Sequence, residues 1–186
     1  MKKLNFTLCV FLLLTLFVSC ERPDYSEEIE ETYREAERLS TSGAVIDGNM
    51  WSARSLRGLD WEDALSYCKD LTELGHYDWR LPTINELRTL IQHCQDTEPG
   101  GFCNMTDECL EEEISEGYAS YYTQCDNNYC SCEYYGEGYY SKLGDSSSYW
   151  SSTETGSSSY ALLIFFGAAH IDVESKTWHE YVRCVR

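Results

Sequence analysis

The cysteines have the widest chemistry of any residues in this sequence, since cysteine can form disulfides, bind metals or carry lipid. Of the ten, Cys9 lies in an apolar leader and Cys20 ends it, which leaves an even number that can pair completely. That even set is Cys68, Cys94, Cys103, Cys109, Cys125, Cys130, Cys132 and Cys184. In an exported chain it predicts disulfide bonds. No CxxC pair is present and the four histidines are scattered, so we expect no metal site and no cofactor.

Tyrosine is the second residue type that stands out, with fifteen in the chain and eight of them between Tyr118 and Tyr140. A tyrosine ring offers a large amphipathic contact area at low conformational entropy cost, so exposed tyrosines suit recognition. Some of these rings are instead expected to fill a small core. The candidates for ligand binding are Tyr121, Tyr122, Tyr134, Tyr135, Tyr139 and Tyr140.

Motifs for other site chemistries are missing. The serines of SSSYWSS and GSSSY lie in turn-like stretches without the G-x-S-x-G turn of a hydrolase. Asp126-Asn127-Asn128 and the acids of residues 107–113 offer oxygen ligands, but no lectin-type EPN or QPD loop or WND strand accompanies them. A charge run is usually a solvated face. We therefore predict neither a serine hydrolase nor a calcium-dependent sugar site.

The amino terminus predicts export with lipid attachment. Lys2 and Lys3 precede an apolar run over residues 8–18, which is too short to span a membrane. The run ends in LFVSC, a small residue followed by a cysteine, as in a lipoprotein signal with Phe17 where leucine is usual. Cleavage after residue 19 and acylation of Cys20 would anchor the protein to a membrane of the bacterial envelope. An ordinary secretory signal is the alternative.

The chain is strongly acidic, with 32 Asp and Glu against 14 Lys and Arg and a formal net charge of −18. Nucleic acid and anionic headgroups are therefore poor partners, because phosphate binding needs clustered Lys and Arg. Residues 20–42 are the most distinct acidic stretch, and we expect a partly helical tether that keeps the domain away from its membrane. Glu21, in place of the aspartate associated with inner-membrane retention, favours the outer membrane. Its periplasmic or outward face is left open.

From residue 43 the composition becomes globular and is long enough for one domain. Two short strands, Ala44–Ile46 and Asn49–Ala53, are predicted around an Asp47-Gly48 turn. Near the other end, the predicted strands are YWSSTE at residues 149–154, the apolar run 160–166, residues 168–173 and residues 180–186. Between them, residues 94–145 contain six cysteines and most of the tyrosines. We interpret this part as an irregular insertion stapled by disulfides.

Two helices are predicted from capping residues and apolar spacing. Asp60 caps the first and Gly75 ends it. Its apolar face consists of Trp61, Ala64, Leu65, Cys68 and Leu71. The second follows the extended DWRLP, with Thr83 and Glu86 as a capping box. Its apolar face consists of Ile84, Leu87, Leu90 and Ile91.

Four segments together resemble a known family: WEDALSYCKDL, GHYDWRLPTINEL, YWSSTE and the terminal YVRCVR. They are similar in kind and order to the Lcl C-terminal domain family, a bacterial domain of unknown function, over residues 43–186. RLPTINEL also resembles the RLPTEAEWEYA segment of the formylglycine-generating enzyme family. Both families are similar to the C-type-lectin-like fold. The resemblance implies an α+β class, with two helices packed on twisted antiparallel strands, chain ends that meet and, here, a disulfide-rich insertion.

The resemblance also implies one disulfide. In C-type-lectin-like domains a cysteine of the first helix is bonded to one of the last strand, and Cys68 and Cys184 occupy those positions. On the chain-entropy account such a long loop closure stabilises by about 4 to 5 kcal/mol. For the six cysteines of the insertion we expect three local bridges, with a connectivity that the sequence does not determine.

The predicted function is a lipid-anchored module of the cell envelope that binds a glycan, or an envelope or host surface protein, without catalysis. One alternative is a structural or assembly component of an envelope complex. The other is a copper- and oxygen-dependent oxidase like the formylglycine-generating enzymes, which act through a pair of cysteines. This sequence lacks that signature, because Asn85-Glu86-Leu87-Arg88 replaces the Trp-Glu-Tyr run and Cys184 is the single cysteine of the terminal region.

Arg80 lies in the family-like GHYDWRLPTINEL, between Trp79 and an apolar Leu-Pro pair. Such a position is partly buried in most folds, so its guanidinium needs a partner. We expect a structural arginine that locks the two helices onto the sheet. The candidate partners are Asp60, Asp63 and Glu86. Trp79 is expected to be structural as well, and Trp150 of YWSSTE is expected in the core.

Overall fold

A computed structural model describes residues 42–110 and 130–186 of the chain. Its elements follow in chain order as β1 (Ala44–Ile46), β2 (Asn49–Trp51), α1 (Trp61–Asp70), α2 (Ile84–Arg88), β3 (Ser148–Glu154), β4 (Tyr160–Phe165) and β5 (His170–Ser175). β1 and β2 form one antiparallel pair, and β3, β4 and β5 form an antiparallel sheet in that order. The predicted α+β class with two helices and a disulfide-rich part is therefore confirmed.

The beginning and the end of the domain lie side by side. Met50 and Arg186 exchange two backbone hydrogen bonds of 3.0 Å, and the Ser52 N–H donates to the Cys184 carbonyl at 2.9 Å. One residue of α1 is bonded covalently to this last segment, through the Cys68–Cys184 disulfide. It is the pair that the resemblance implied. The closing segment thus joins the opening strands and the first helix.

The first helix begins as predicted, with the Asp60 carboxylate accepting from the Asp63 N–H at 2.8 Å. It ends at Asp70 and not at Gly75, because Leu71 is already extended (φ −66°, ψ 129°). Gly75 belongs to a tight turn in which both central residues, Leu74 and Gly75, have positive φ. A glycine favours such a turn as strongly as it favours a helix end, so its presence alone did not locate the end of α1.

The second helix has the predicted capping box, in which Thr83 accepts from the Glu86 N–H and the Glu86 carboxylate accepts from the Thr83 N–H. It is only five residues long. Leu90 and Ile91, predicted on its apolar face, are buried as expected. They leave the helix because their backbone pairs with the end of the insertion, where Ile91 bridges Ser141.

Two apolar clusters pack on opposite sides of β3, whose side chains alternate between them. Tyr149 belongs to the cluster around α2 and Phe166, and Trp150 belongs to the cluster around α1. Trp150 and Trp79 are buried, as expected. The indole N–H of Trp150 donates to the Leu59 carbonyl at 2.9 Å. The YWSSTE segment is therefore the shared wall of both cores.

A buried ion pair lies where the insertion returns to the sheet. Arg183 binds Asp145 through two hydrogen bonds of 2.6 and 2.9 Å, and neither side chain has exposed surface. The Tyr149 hydroxyl donates to the same carboxylate at 2.6 Å, and the Arg183 guanidinium donates to the Ser52 carbonyl at 2.7 Å. Burial and the neighbouring carboxylate raise the pKa of Tyr149 far above its usual range, so it stays a donor. No pattern in the sequence predicts this pair, because its two residues are 38 positions apart.

Arg80 differs from its prediction in exposure but not in partner. Its guanidinium forms two hydrogen bonds, of 2.6 and 2.5 Å, with Glu86, one of the three predicted acids. However, 54% of its side chain is exposed, so the expected partial burial was wrong. The reason lies in the backbone, which pairs with Val185 in both directions, at 3.0 and 2.9 Å. That pairing directs the side chain to the edge, where it reaches the start of α2.

The Asp145→Asn substitution tests the buried ion pair. It keeps the side-chain size but leaves the Arg183 charge uncompensated in the interior, so we expect the free energy of unfolding to fall by about 3 to 5 kcal/mol. Urea denaturation followed by fluorescence measures this change. The control is Asp78→Asn, which breaks the exposed ion pair with Arg186 and should change stability little. Equal losses in both variants would contradict the assigned role.

The Arg80→Ala substitution tests the exposed pair through its pH dependence. Burial opposes ionisation of Glu86, but hydrogen bonds from Arg80 and the Thr83 N–H more than offset it and lower its pKa. A carboxylate with a lowered folded-state pKa stabilises above its unfolded pKa, about 4.3, and loses that contribution as pH falls through the folded pKa. We expect a loss of about 0.5 to 1 kcal/mol at pH 7 that disappears in acid. A loss of stability that is the same at every pH would contradict the contribution of the Arg80–Glu86 ion pair.

Candidate binding surface

Two disulfides fix the described part of the insertion. Cys94 is bonded to Cys132, and Cys103 is bonded to Cys130. Each joins the beginning of the insertion to its later part, across 38 and 27 residues respectively. The side chains of Cys109 and Cys125, which complete the six predicted to pair locally, lie outside the described residues. The two bridges bring the strand-like segment 130–136 back against the domain.

The sheet supports segment 130–136 directly. The Cys132 N–H donates to the Ala168 carbonyl at 2.8 Å, and the Tyr135 and Gly136 N–H groups both donate to the Gly167 carbonyl at 3.1 Å. The partner residues form the turn between β4 and β5. Hydrogen bonds to a sheet turn and covalent bridges act on the same few residues, so the backbone of this segment has little freedom.

Buried Arg88 supports the other side of the insertion. Its side chain donates to four backbone carbonyls between 2.9 and 3.4 Å, those of Thr97, Glu98, Cys103 and Met105. Burial lowers its pKa, and the Asp107 carboxylate acts in the opposite direction. A guanidinium presents several donors in a fixed plane, so one side chain can satisfy carbonyls that no regular ladder pairs. No pattern in the sequence predicts this role for Arg88.

Residues 90–93 and 139–142 form a short antiparallel ladder, here called the neck. The Lys142 N–H donates to the Leu90 carbonyl at 2.8 Å and the Gln92 N–H donates to the Tyr140 carbonyl at 3.0 Å. Continuing this register sets His93 opposite Tyr139, and their rings are in contact. The neck therefore joins both ends of the insertion and determines which side chains meet at its outer end.

Three exposed aromatic side chains meet there, His93, Tyr135 and Tyr139, and Tyr134 is exposed next to Tyr135 in the chain. These four residues are here called the aromatic surface. The Tyr139 ring lies between two others, with centroid distances of 4.8 Å to both Tyr135 and His93. Tyr134 stacks on Phe165 of β4 at 6.1 Å, with an angle of 12° between the rings. Tyr134, Tyr135 and Tyr139 are 72%, 64% and 45% exposed. Large apolar side chains with this much free surface are a feature of recognition sites.

The tyrosine predictions have three outcomes. Tyr135 and Tyr139 stack on each other at the surface, and Tyr134 is exposed but packs on Phe165. Tyr140 does not lie at the surface, because it is only 3% exposed; its hydroxyl donates to the Glu133 carbonyl at 2.7 Å and its ring packs edge-on against Tyr139. The expectation that Tyr140 contacts a ligand is therefore wrong, and it supports the surface from below. Tyr121 and Tyr122 lie outside the described residues.

A tight turn over residues 136–138 sets the position of Tyr139. All three residues have positive φ, and a Cβ added to Gly138 would lie 2.4 Å from the Gly144 carbonyl oxygen. Glycine is therefore required at 138 on two grounds, backbone conformation and space. The turn also brings Tyr139 back over Tyr135, which is why residues four apart in an irregular segment stack.

A cleft of about 370 Å³ opens beside the neck. Its lining residues are Asp47, Thr89, Ile91, Gln92, Glu98, Pro99 and Lys142. They come from the β1–β2 turn, the end of α2 and both ends of the insertion. Neither this cleft nor the position of His93 was predicted, because no spacing in the sequence indicates that these segments meet.

Two kinds of site are absent from the described ranges, 42–110 and 130–186. No three His, Cys, Asp or Glu side chains there come close enough to hold a metal ion. No helix there is long and apolar enough to cross a membrane. What these ranges do contain is a surface of exposed aromatic rings beside a cleft lined by polar and apolar groups.

Comparison with known proteins agrees with this architecture. Residues 44–186 match the Lcl C-terminal domain. No curated protein matches the chain. The match covers more than half of the sequence and includes both helices, all five strands and the insertion. The chain therefore belongs to the Lcl C-terminal domain family.

Proposed function

We propose that this protein is a lipid-anchored, non-catalytic binding module of the bacterial cell envelope that recognises a glycan or another surface protein. The observation that carries the proposal is the aromatic surface. Exposed tyrosine rings offer a large amphipathic contact area at low conformational entropy cost, and here they stand on a backbone held by disulfides and hydrogen bonds, which favours a role in recognition.

The support beneath the rings strengthens this proposal. Two disulfides and the hydrogen bonds to Gly167 and Ala168 limit motion of segment 130–136, which carries Tyr134 and Tyr135. Arg88 binds four carbonyls of residues 97–105, and the Cys103–Cys130 bridge joins that stretch to the segment. A surface that is already ordered loses less conformational entropy when its ligand binds. These contacts order an exposed segment, and the stability of the core alone does not require that.

The disulfide of the last segment supports a non-catalytic role. An oxidase of the formylglycine-generating kind acts through a pair of cysteines near the end of the fold, and Cys184 is bonded to Cys68 within α1. A buried sulfur in a structural bridge is not available as a nucleophile.

The envelope location rests on the leader and on charge. LFVSC provides Cys20 for acylation, and the acidic residues 20–42 provide a tether of net negative charge. A chain with a net charge of −18 is repelled by anionic lipid and nucleic acid. Attachment through acyl chains, with the domain held away from the membrane, fits this charge. An outer-membrane position is part of the proposal.

Replacement of Tyr139 by alanine tests the aromatic surface. We expect at least a tenfold loss of affinity for the ligand that an array of envelope glycans and surface proteins identifies, because the central ring of the stack is removed. The assay uses the full chain, purified under oxidising conditions. Tyr77→Ala is the control, since this tyrosine is 82% exposed but lies outside the insertion.

Unchanged binding by Tyr139→Ala, with the far-ultraviolet circular dichroism of the wild type, would disprove the role of the aromatic surface. A protein that binds no glycan or surface protein but co-purifies with an envelope complex would favour the structural or assembly alternative.

Replacement of Cys20 by alanine tests the anchor. We expect the wild type to incorporate labelled palmitate and to fractionate with outer membranes, and the variant to do neither. The Cys9→Ala variant, which changes a cysteine within the leader, is the control. Palmitate incorporation by the Cys20 variant would exclude this residue as the attachment site.

A further inference from the structure

We infer that the cleft beside the neck is a subsite for a sugar unit, and that the ligand of this domain is an uncharged oligosaccharide that reaches from the aromatic surface into the cleft. This inference rests on the proposed function and makes it specific, because it selects glycan over protein and neutral glycan over acidic glycan.

The cleft lies next to the aromatic surface along the neck. Gln92 lines the cleft, and its amide donates to the carbonyls of Tyr139 and Ser141, both at 3.2 Å. The next residue along the chain is His93, whose ring packs against Tyr139. The Gln92 amide thus lies within hydrogen-bond distance of the backbone of Tyr139, so the wall of the cleft and a residue of the surface are close in space. A ligand of two or more linked units can contact both.

The cleft offers hydrogen-bond acceptors where sugar hydroxyls would donate. Glu98 accepts from the Cys94 N–H through Oε1, Asp47 binds the Lys142 ammonium through Oδ2 at 2.9 Å, and the Gln92 amide uses its nitrogen. Within the described part of the chain, the other carboxylate oxygens of Glu98 and Asp47 and the single amide oxygen of Gln92 accept no hydrogen bond. Such oxygens, held in place through the other half of the group, are preorganised for hydroxyl donors.

Size and composition also fit a sugar. About 370 Å³ is at the small end of ligand sites, which span about 300 to 1,000 Å³. It suits one or two hexose units. The buried side chain of Ile91 lies in the lining, next to polar groups. A saccharide has apolar C–H faces and hydroxyl edges, so polar groups of the lining can bind its edges and rings of the aromatic surface can pack on its faces.

Charge selects against acidic ligands. Lys142 is the one cation among the residues that line the cleft, and its ammonium is bound to Asp47. Glu98 adds a second carboxylate to the lining, and Glu133 and Glu137 flank the tyrosines of the aromatic surface. A uronate or sulfate entering this site would meet carboxylates without a free counter-charge. Recognition of acidic polysaccharide needs unpaired Lys or Arg, which the lining does not contain.

Titration of the full-length oxidised protein with defined trisaccharides tests the inference. The probes are cellotriose, maltotriose and chitotriose as neutral ligands and trigalacturonate as the acidic one. We expect at least one neutral trisaccharide to bind, with trigalacturonate at least tenfold weaker. Tyr139→Ala should weaken the neutral ligand at least tenfold as well.

The Asp47→Gly variant tests the cleft separately from the rings. Asp47 has a φ of 49°, so glycine fits the backbone while the carboxylate is removed. We expect about tenfold weaker binding of the neutral trisaccharide, about 1.4 kcal/mol. The matched control is Asp78→Gly, because Asp47 and Asp78 are both 60% exposed and both form an ion pair, but Asp78 is remote in sequence from the cleft lining. The control should bind like the wild type.

The outcomes separate the two proposals. If Asp47→Gly bound with wild-type affinity, or if the protein preferred trigalacturonate, the subsite in the cleft would be overturned. The proposed function would still stand if binding depended on Tyr139. Binding only to surface proteins would overturn the inference of a sugar ligand but would agree with the proposed function. No binding to any glycan or surface protein would overturn both.

Discussion

The ion pair between Arg183 and Asp145 is the interaction on which the rest of the domain depends. Burying two charges costs several kcal/mol each unless geometry and further hydrogen bonds compensate for it. Here further hydrogen bonds provide the compensation: the carboxylate also accepts from Tyr149, and the guanidinium also donates to the Ser52 carbonyl. This one pair therefore connects four parts of the domain: the last segment, the end of the insertion, β3 and the residue after β2. None of these can move independently without leaving a buried charge unpaired.

A second buried arginine has the corresponding role at the other end of the insertion. Arg88 reaches from the end of α2 to four carbonyls of residues 97–105, while Arg183 fixes the point where the chain returns. Between them, disulfides and hydrogen bonds to the β4–β5 turn replace the regular ladders that an irregular segment lacks. Stability and the candidate binding surface are thus linked, because the same contacts that make the insertion compatible with the core also order the tyrosine rings.

Local features of this fold were predictable and long-range ones were not. The Asp60 cap and the capping box at Thr83 and Glu86 follow from neighbours within one helical turn. The end of α1 was misjudged because glycine serves two kinds of turn, and the exposure of Arg80 was misjudged because strand pairing with Val185 sets its direction. The partners of Arg88 and Arg183, the pairing within the insertion and the cleft all depend on segments distant in sequence. The resemblance to a family gave the Cys68–Cys184 bridge, which periodicity alone could not.

The neck has a consequence for how this domain can change over time. Because its two strands hold the ends of the insertion at the spacing of a hairpin, the loop is closed where it leaves the scaffold. The entropic cost of a longer closed loop grows only with the logarithm of its length, about 0.6 kcal/mol for each doubling. Segments of quite different length and composition can therefore occupy this position at similar stability. Diversification of the loop, with the scaffold unchanged, is the evolutionary freedom that such a closure provides.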